Sequence, residues 1–418
     1  MEDRLLNYRK FLTGILFVMI LLFLTMGYLT FQNHIPAKVY LNEQSERELR
    51  FDMPVTVMTA LSHDVINGET RSTKLTNRVK LKAGEEDSYH MQVRLLGMIP
   101  VREIDVTVLQ NRQVYPVGIP VGIYLHTRGV LVLGCSKLQG ADSRTYSPAE
   151  HILKKGDYIV QIDDRAVEGK EELIRLVRDS AGQELNLRIR REEEEFDVKV
   201  VPKMAKDGNY KIGVWVCDSA QGIGTLSYID GEGKFAALGH GISNMDTESV
   251  LELGYGALYD ADIVSIKKGK KADPGELTGL IVLQDSELLG DISSNTDAGI
   301  FGTLKNESGM WAYMEEPVTV GFKEEIKPGD VKILCRIGEQ TGYYDARIVA
   351  VDYHAGDSHK DMEIEITDEK LLNLTGGIVQ GMSGSPILQD GKLIGVVTHV
   401  LVNDPARGYG IFVENMLG

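Results

Sequence analysis

The chain has 418 residues, of which 43% are hydrophobic and 25% are charged, and its formal net charge is −16 at pH 7. This length exceeds a single ordinary core, so two or three domains are expected. The composition is that of a globular protein rather than a disordered one. The acidic balance argues against a nucleic-acid partner, because phosphate binding needs a basic face.

The first predicted element is a membrane helix. Residues 11–31 carry no charge and span roughly 30 Å as a helix, about the thickness of the bilayer core. Arg4, Arg9 and Lys10 precede them and predict a cytoplasmic N-terminus. The alternative is a cleaved signal peptide, but this apolar run is longer than a signal-peptide core. We predict an uncleaved signal-anchor over residues 1–34, with the rest of the chain outside the cytoplasm.

Residues 35–112 read as short strands, among them an alternating run at 101–109, with polar stretches between them. This pattern predicts a small β module or tether. The three cysteines of the whole chain, Cys135, Cys217 and Cys335, are far apart and form no metal-binding spacing. We predict buried free thiols and neither a metal nor another cofactor.

A sharper pattern covers residues 113–203. Ser147-Pro148-Ala149 begins a short helical stretch, and an apolar strand follows Gly156-Asp157. A helix is expected over 169–178, because Leu173, Ile174 and Val177 are spaced to share one face.

This segment resembles a PDZ domain of the bacterial, protease-associated kind. The resemblance implies that an extended peptide adds beside a strand and that a loop binds its terminal carboxylate. The residues implied for that loop are Gly122, Ile123, Tyr124 and Leu125. A PDZ domain that only spaces its neighbours or clamps its own chain remains the alternative.

Residues 207–418 are rich in glycine and in short strand-like runs. Such a pattern indicates an antiparallel barrel or sandwich. Near its end stands Gly381-Met382-Ser383-Gly384-Ser385-Pro386, followed by two apolar runs around Asp390-Gly391. A serine between glycines, with a hairpin behind it, resembles the nucleophile box of trypsin-like serine peptidases. The predicted fold class is therefore mainly β, with a chymotrypsin-like double β-barrel as the last domain.

A serine hydroxyl needs a neighbouring base, and histidine has a suitable pKa. His240 is the best candidate, because an apolar strand ends there at a Gly-His-Gly turn. His399 follows the serine hairpin, where a wall of the substrate subsite is the better interpretation. His354 and His359 lie in a hydrophilic loop whose spacing does not fit a zinc site.

The carboxylate that would orient the base is not fixed by local sequence. Six aspartates qualify by residue type: Asp246, Asp260, Asp262, Asp291, Asp297 and Asp368. The anchor, the PDZ-like segment, Leu238-Gly239-His240-Gly241 and the serine box together resemble the stage IV sporulation protein B peptidase family. That resemblance implies His240 as base, Ser383 as nucleophile and Asp368 as orienting acid, with Asp246 in reserve.

The trypsin-like box implies two further roles. The amides of Gly381 and Ser383 would form the oxyanion hole. Gly377 stands where trypsin has its specificity carboxylate, and Thr398 and His399 follow on the strand that pairs with substrate. Because residue 377 is uncharged, the sequence predicts no strong preference for arginine or lysine at the cleaved bond of the substrate.

The family resemblance implies a signalling protease of sporulation. It would cleave itself near the N-terminus and would cleave the extracytoplasmic part of a membrane-bound regulator of an intramembrane protease, in the space between the forespore membranes. Self-cleavage would release it from the membrane. Two alternatives remain: a PDZ peptidase of general quality control, and a non-catalytic membrane adaptor.

Overall fold

The computed structural model describes residues 2–33, 35, 38–42, 46–61, 71–72, 74–82, 88–109, 112–314, 316–338, 340–353 and 360–417. The chain is mainly β, as predicted, and divides into two compact units, Met1–Arg112 and Gln113–Gly418. Each unit has a hydrophobic core of its own.

The first unit begins with the helix α1, Glu2–Asn33. Within it, the 21 residues of Leu12–Gln32 are long and apolar enough to cross a bilayer. The described strands that follow are β1 (Lys38–Asn42), β2 (Glu46–Leu61), β3 (Arg71–Ser72), β4 (Thr76–Lys82), β5 (Ser88–Leu95) and β6 (Ile99–Leu109).

These strands form one sheet in the order β1-β6-β5-β2-β3, with β4 paired to β2. Burial alternates along the strands, since Met91 and Val93 of β5 and Ile104 and Val106 of β6 are all fully buried. Period-two burial of this kind defines a sheet with one face on a core. The small β module predicted for this part of the chain is thus present.

The second unit begins with a very long strand and a compact α/β segment. Its elements are β7 (Gln113–Cys135), β8 (Leu138–Gln139), β9 (Thr145–Tyr146), β10 (Tyr158–Ile162), β11 (Arg165–Ala166), α2 (Lys170–Asp179), β12 (Leu185–Arg191), β13 (Glu194–Val200), β14 (Lys203–Met204), β15 (Tyr210–Lys211) and β16 (Val214–Asp230). The helix lies where the sequence predicts it. Its buried face is Leu173, Leu176 and Val177, whereas Ile174 is exposed.

The first barrel contains β7 and β16 together with later strands. These are β17 (Lys234–Ala237), β20 (Leu253–Lys267), β22 (Leu288–Thr296) and β23 (Gly299–Leu304). Outside the ring, β21 (Glu276–Ile281) pairs with β20, and β18 (Ser243–Asn244) and β19 (Ser249–Val250) form a separate two-stranded sheet. Pairing runs β7-β16-β17-β23-β22-β20, and β20 pairs again with β7, so the ring of six strands is closed.

The two long strands also build the PDZ-like sheet, which runs β13-β12-β10-β7-β16. The second half of β7 contributes Val130 and Val132 to the core of that sheet, whereas its first half contributes Ile119, Val121 and Ile123 to the core of the barrel. The PDZ segment is therefore inserted between two strands of the first barrel. The predicted limits 113–203 include a stretch of barrel strand, because one uninterrupted apolar strand serves both cores.

The second barrel is formed by the last strands of the chain. The remaining elements are β24 (Val318–Thr319), β25 (Gly329–Ile337), β26 (Gln340–Val351), β27 (Met362–Ile366), α3 (Glu369–Thr375), β28 (Pro386–Gln389), β29 (Lys392–Leu401) and β30 (Asp404–Phe412), with 3-10 turns at Asp285–Glu287, Gly309–Tyr313, Lys323–Glu325 and Val413–Met416. The ring β25-β26-β27-β30-β29-β28 is closed.

The hairpin after the serine box is the one that the sequence predicts. Its turn residues, Asp390 and Gly391, have φ values of +51° and +77°. Positive φ at both central residues defines the two-residue turn that matches the twist of paired strands. The double β-barrel expected from the sequence thus has both of its rings.

Candidate active site

Ser383 lies on a short loop between α3 and β28. Gly381 and Gly384 on either side both have a φ of +98°, which residues with a β-carbon rarely adopt. The amide of Ser385 donates to the Met382 carbonyl at 3.0 Å and closes the bend. The glycine-serine-glycine turn predicted from the sequence is therefore formed, and it leaves Ser383 half-buried.

Two backbone amides of this loop have no hydrogen-bond acceptor in the described part of the chain. Among the hydrogen bonds of the described chain, the amides of Gly381 and Ser383 donate to no protein acceptor, whereas the Met382 amide between them donates to the Val379 carbonyl. Most amides that are withdrawn from water find a partner. This alternation leaves two donors for an oxygen atom of a bound peptide, at the positions predicted for the oxyanion hole.

The Ser383 hydroxyl group is held by the neighbouring strand. Its Oγ donates to the Thr398 carbonyl of β29 at 2.6 Å. The proton that a base must remove is thus directed at a backbone oxygen in this state. This O–H bond must turn away from the Thr398 carbonyl before the proton can be transferred to an imidazole.

His240 follows β17, after a turn in which Leu238 and Gly239 have φ values of +72° and +73°. Its Nδ1 lies 3.0 Å from the Gly241 carbonyl oxygen. Because a carbonyl only accepts, this contact assigns the hydrogen to Nδ1 in the neutral ring. Nε2 then carries the lone pair that a general base uses.

A cavity of about 480 Å³ opens beside His240. The ring of His399 forms part of its wall, with its centroid 5.2 Å from that of His240. The lining residues are His240, Gly241, Ser243, Glu248, Ser249, Val250, Asp297 and His399. His399 thus lies beside His240 on the wall of this cavity.

The segments that carry Ser383 and His240 meet at Thr225 of β16. The Thr225 amide donates to the Ser383 carbonyl at 3.0 Å, and its carbonyl accepts from the Leu238 amide at 3.2 Å. Its hydroxyl donates to the Gly381 carbonyl at 2.7 Å. The structure therefore brings the two predicted segments together across the barrels. Sequence reasoning missed Thr225, for which the only signal is a polar residue after Gly222-Ile223-Gly224 in an apolar strand.

A second contact brings the His240 turn against β29. A β-carbon on Gly239 would lie 2.4 Å from a Val396 methyl group and 3.1 Å from the Thr398 methyl group. Only glycine permits so close an approach. Because the Thr398 carbonyl also accepts a hydrogen bond from the Ser383 hydroxyl, β29, the second strand of the hairpin, contacts both Ser383 and the turn that carries His240.

Asp368 has a different set of contacts from the one that the family resemblance implies. It is the N-cap of α3: its carboxylate accepts the Leu371 amide at 2.9 Å and the Asp345 amide at 3.3 Å. Burial, with a smaller effect of the Asp368 charge, raises the pKa of the nearby Cys335 to about 12. Asp368 does not line the cavity beside His240.

The reserve candidate, Asp246, is exposed on the turn between β18 and β19, and its amide donates to the Asn244 side chain at 2.8 Å. It does not line the cavity either. The carboxylates that do so are Asp297 and Glu248. Of the six aspartates that qualify by type, Asp297 is the one that lines this cavity.

Gly377, the predicted specificity position, lies against the start of β30. Its φ is +133°, and a β-carbon there would lie 2.0 Å from the Pro405 carbonyl oxygen. A side chain at this position would collide with backbone, so glycine is required for packing. The absence of a charge at residue 377 thus has a structural cause.

The loop predicted to bind a peptide carboxylate is instead a strand. Gly122, Ile123, Tyr124 and Leu125 lie in the middle of β7, which pairs there with β16 on one edge and with β20 on the other. Their amides belong to barrel ladders and are not open to a ligand. Ile123 and Leu125 are buried in the core of the first barrel.

The cysteines and the remaining histidines contribute no metal site among the described residues, where no group of three or more His, Cys, Asp or Glu side chains could hold an ion. His354 and His359 lie outside the described residues. All three cysteines are free, but only Cys335 is buried: Cys135 is exposed, and Cys217 is intermediate.

Comparison with known proteins supports the assignment of both domains. The model of the SpoIVB peptidase S55 family matches residues 208–417, about half of the chain, and a PDZ domain model matches residues 142–191. No curated protein matches.

Two solved structures show a low similarity. The PDZ domain of the SdrC-like protein from Listeria monocytogenes is 22% identical, over 21% of this chain and 87% of that chain, with a TM-score of 0.18. A quinonprotein alcohol dehydrogenase-like protein from Bacteroides thetaiotaomicron is 11% identical, over 81% of this chain and 92% of that one, with a TM-score of 0.14. Neither likeness carries an argument, so the assignment depends on the family models. The chain belongs to the SpoIVB peptidase S55 family and is a serine endopeptidase with a PDZ domain.

Proposed function

We propose that this chain is a membrane-anchored signalling peptidase of sporulation, in which His240 activates Ser383. The observation that carries the proposal is the junction at Thr225, where the segments of base and nucleophile are hydrogen-bonded to one residue. The two open amides of Gly381 and Ser383 beside it supply the electrostatic part of the site.

In the proposed reaction, the Ser383 hydroxyl turns away from the Thr398 carbonyl and gives its proton to Nε2 of His240. The oxygen attacks the substrate carbonyl, and the resulting oxyanion accepts hydrogen bonds from the amides of Gly381 and Ser383. His240 then protonates the leaving amine, and water hydrolyses the acyl-enzyme by the reverse sequence.

The orienting acid is part of the proposal as well. The family resemblance assigns it to Asp368, whose described contacts are those of a helix cap. Nδ1 of His240 already has a hydrogen-bond acceptor in the Gly241 carbonyl. A carboxylate would act mainly by stabilising the imidazolium that forms during the reaction.

The proposed substrates follow from the family resemblance. They are the extracytoplasmic part of a membrane-bound regulator of an intramembrane protease, and the chain's own N-terminal segment. Leu12–Gln32 would hold the enzyme in the membrane, and Arg4, Arg9 and Lys10 would keep the N-terminus in the cytoplasm. The catalytic domain would then act between the forespore membranes until self-cleavage releases it.

A peptide ligand of the PDZ domain would sit beside α2 rather than at residues 122–125. At 214–217, β16 pairs with β7 on one edge, and no described strand pairs with its other edge. Helix α2 contacts this part of the chain, since the Lys170 amide donates to Asp218 at 2.9 Å. An open edge next to a helix can accept an added peptide strand.

The test is labelling of the full-length protein in detergent by a fluorophosphonate, with mass mapping of the adduct. We expect one adduct on Ser383, none in Ser383→Ala, and at most a trace in His240→Ala. Ser385→Ala is the matched control, because the Ser385 hydroxyl is buried without a hydrogen-bond partner. An unlabelled wild type, or a labelled Ser383→Ala protein, would refute the nucleophile.

The two alternatives give other outcomes. A quality-control peptidase would degrade denatured casein, whereas a signalling peptidase leaves it largely intact. A non-catalytic adaptor would not react with the probe, and its Ser383→Ala variant would support sporulation as the wild type does.

A further inference from the structure

The side chain of Thr225 is hydrogen-bonded to the loop that carries Ser383. Thr225 is 2% exposed and lies in β16, in the first barrel, whereas the loop belongs to the second. Its hydroxyl donates to the Gly381 carbonyl at 2.7 Å. Its own amide donates to the Ser383 carbonyl at 3.0 Å.

Four successive carbonyls of the loop each accept a hydrogen bond. Those of Gln380, Met382 and Ser383 accept from the backbone amides of Leu277, Ser385 and Thr225, respectively. That of Gly381 accepts from a side chain, the Thr225 hydroxyl. Among these four carbonyls, that of Gly381 is thus the one whose described hydrogen bond a single side-chain substitution can remove.

The Gly381–Met382 peptide lies between the two amides of the proposed oxyanion hole. Because the peptide unit is planar and trans, fixing its carbonyl also fixes the Met382 N–H on the opposite side. Gly381, at a φ of +98°, has no β-carbon to resist a rotation of the plane. Without the hydroxyl, one described hydrogen bond still holds this peptide, from the Met382 amide to the Val379 carbonyl at 3.1 Å. The plane can then tilt about that bond, which changes the directions of the Gly381 and Ser383 amides on either side.

We propose that Thr225 is a positioning residue whose hydroxyl orients the oxyanion hole by holding the Gly381 carbonyl. The same residue accepts the Leu238 amide two positions before His240, so it also sets the base relative to the nucleophile. The inference depends on the proposed role of Ser383.

The experiment compares Thr225→Val with Thr225→Ser in the full-length protein in detergent. Valine keeps the shape and removes the hydroxyl, and serine keeps the hydroxyl. The readout is fluorophosphonate inactivation, split into its maximal rate and its half-saturating probe concentration. We expect valine to lower the maximal rate about 10- to 100-fold, less than the loss of an oxyanion donor itself, with half-saturation changed less than about threefold. Serine should restore most of the rate.

Thr127→Val is the matched control. Thr127 is also 2% exposed, and its hydroxyl donates to the carbonyls of Gly129 and Asp218, away from Ser383. It should lose stability as Thr225→Val does, with an unchanged maximal rate. If Thr225→Val does not fold, Thr225→Ala against Thr225→Ser isolates the hydroxyl again.

The outcomes distinguish a failure of the proposed function from a failure of the positioning role of Thr225. A wild type that is not labelled at Ser383 refutes the proposed function. A labelled wild type with an equally fast, folded Thr225→Val protein refutes only the positioning role. Equal losses in Thr225→Val and Thr127→Val also overturn it, because they would show a general effect of stability.

Discussion

A β-carbon on Gly384 would lie 2.6 Å from the Leu238 amide nitrogen, so the nucleophile loop and the turn of the base meet without room for a side chain. The same β-carbon would lie 2.3 Å from the Thr225 carbonyl oxygen. Both neighbours are backbone atoms, which cannot move aside as a flexible side chain can. The contact between the barrels at the active site is therefore set by this glycine.

The first prediction compares Gly384→Ala with Gly391→Ala. Both glycines have positive φ, +98° and +77°, but nothing lies within 4 Å of a β-carbon at Gly391. The control should lose about 1–2 kcal/mol of unfolding free energy from backbone strain alone. Gly384→Ala should lose about 1–3 kcal/mol more from overpacking and should lose labelling at Ser383. Equal stabilities in urea titrations would contradict this close approach.

The second prediction concerns the two possible roles of Asp368. Because Asp368 is a helix N-cap, Asp368→Ala should lower the free energy of unfolding by about 1 kcal/mol. Asp368→Asn should change that free energy little, because asparagine caps a helix equally well. The labelling rate of folded Asp368→Asn then tests the orienting role separately. A loss of 100-fold or so would support the family assignment. A wild-type rate would remove Asp368 and favour Asp297, which lines the cavity beside His240.

The third prediction is a pH dependence of stability from Asp361. This carboxyl is 3% exposed, and its Oδ2 accepts from the Phe412 amide and the Asn415 side chain, each at 2.8 Å. Burial raises its pKa to about 6 from 3.8. Because the folded state favours the protonated acid, its stabilising contribution is complete below the unfolded pKa and is lost as pH rises through about 6.

Asp361→Asn isolates this effect. The difference in unfolding free energy between wild type and variant should change by about 1–2 kcal/mol between about pH 5 and about pH 7.5. Relative to the variant, the wild type should be less stable at the higher pH. Urea titrations at the two pH values measure it, and all other titrating groups cancel in the difference. A constant difference would show that the Asp361 pKa is not raised in the folded state.

The fourth prediction concerns the three free cysteines. Burial raises the pKa of Cys335 to about 12, so almost no reactive thiolate is present near neutral pH. Iodoacetamide should modify Cys135 in the native protein and Cys335 only after unfolding in urea, as mass mapping would show. Cys335→Ser identifies the late adduct. Rapid native labelling of Cys335 would mean that the second barrel opens locally.

Local sequence patterns predicted the elements whose determinants are close together in the chain. The apolar run became α1, the Asp390-Gly391 pair became a hairpin turn, and the spacing of Leu173 and Val177 became the buried face of α2. The glycines around Ser383 also predicted the tight loop that carries this serine. Each of these depends on short-range sterics or on burial of one face, which residue spacing reports directly.

The tertiary structure decided what distant segments do to one another. Residues 122–125 became a barrel strand because β16 and β20, about a hundred residues away, pair with both of its edges. The carboxylate of Asp368 caps a helix, and that of Asp297 lines the cavity beside His240. Hydrogen-bond partners of this kind leave no local pattern, because strand pairing and barrel closure bring them together. The sequence by itself determined the class of enzyme and singled out Ser383 and His240 as candidates; only the fold decided that the segments of both are hydrogen-bonded to Thr225, because strand pairing brings them together.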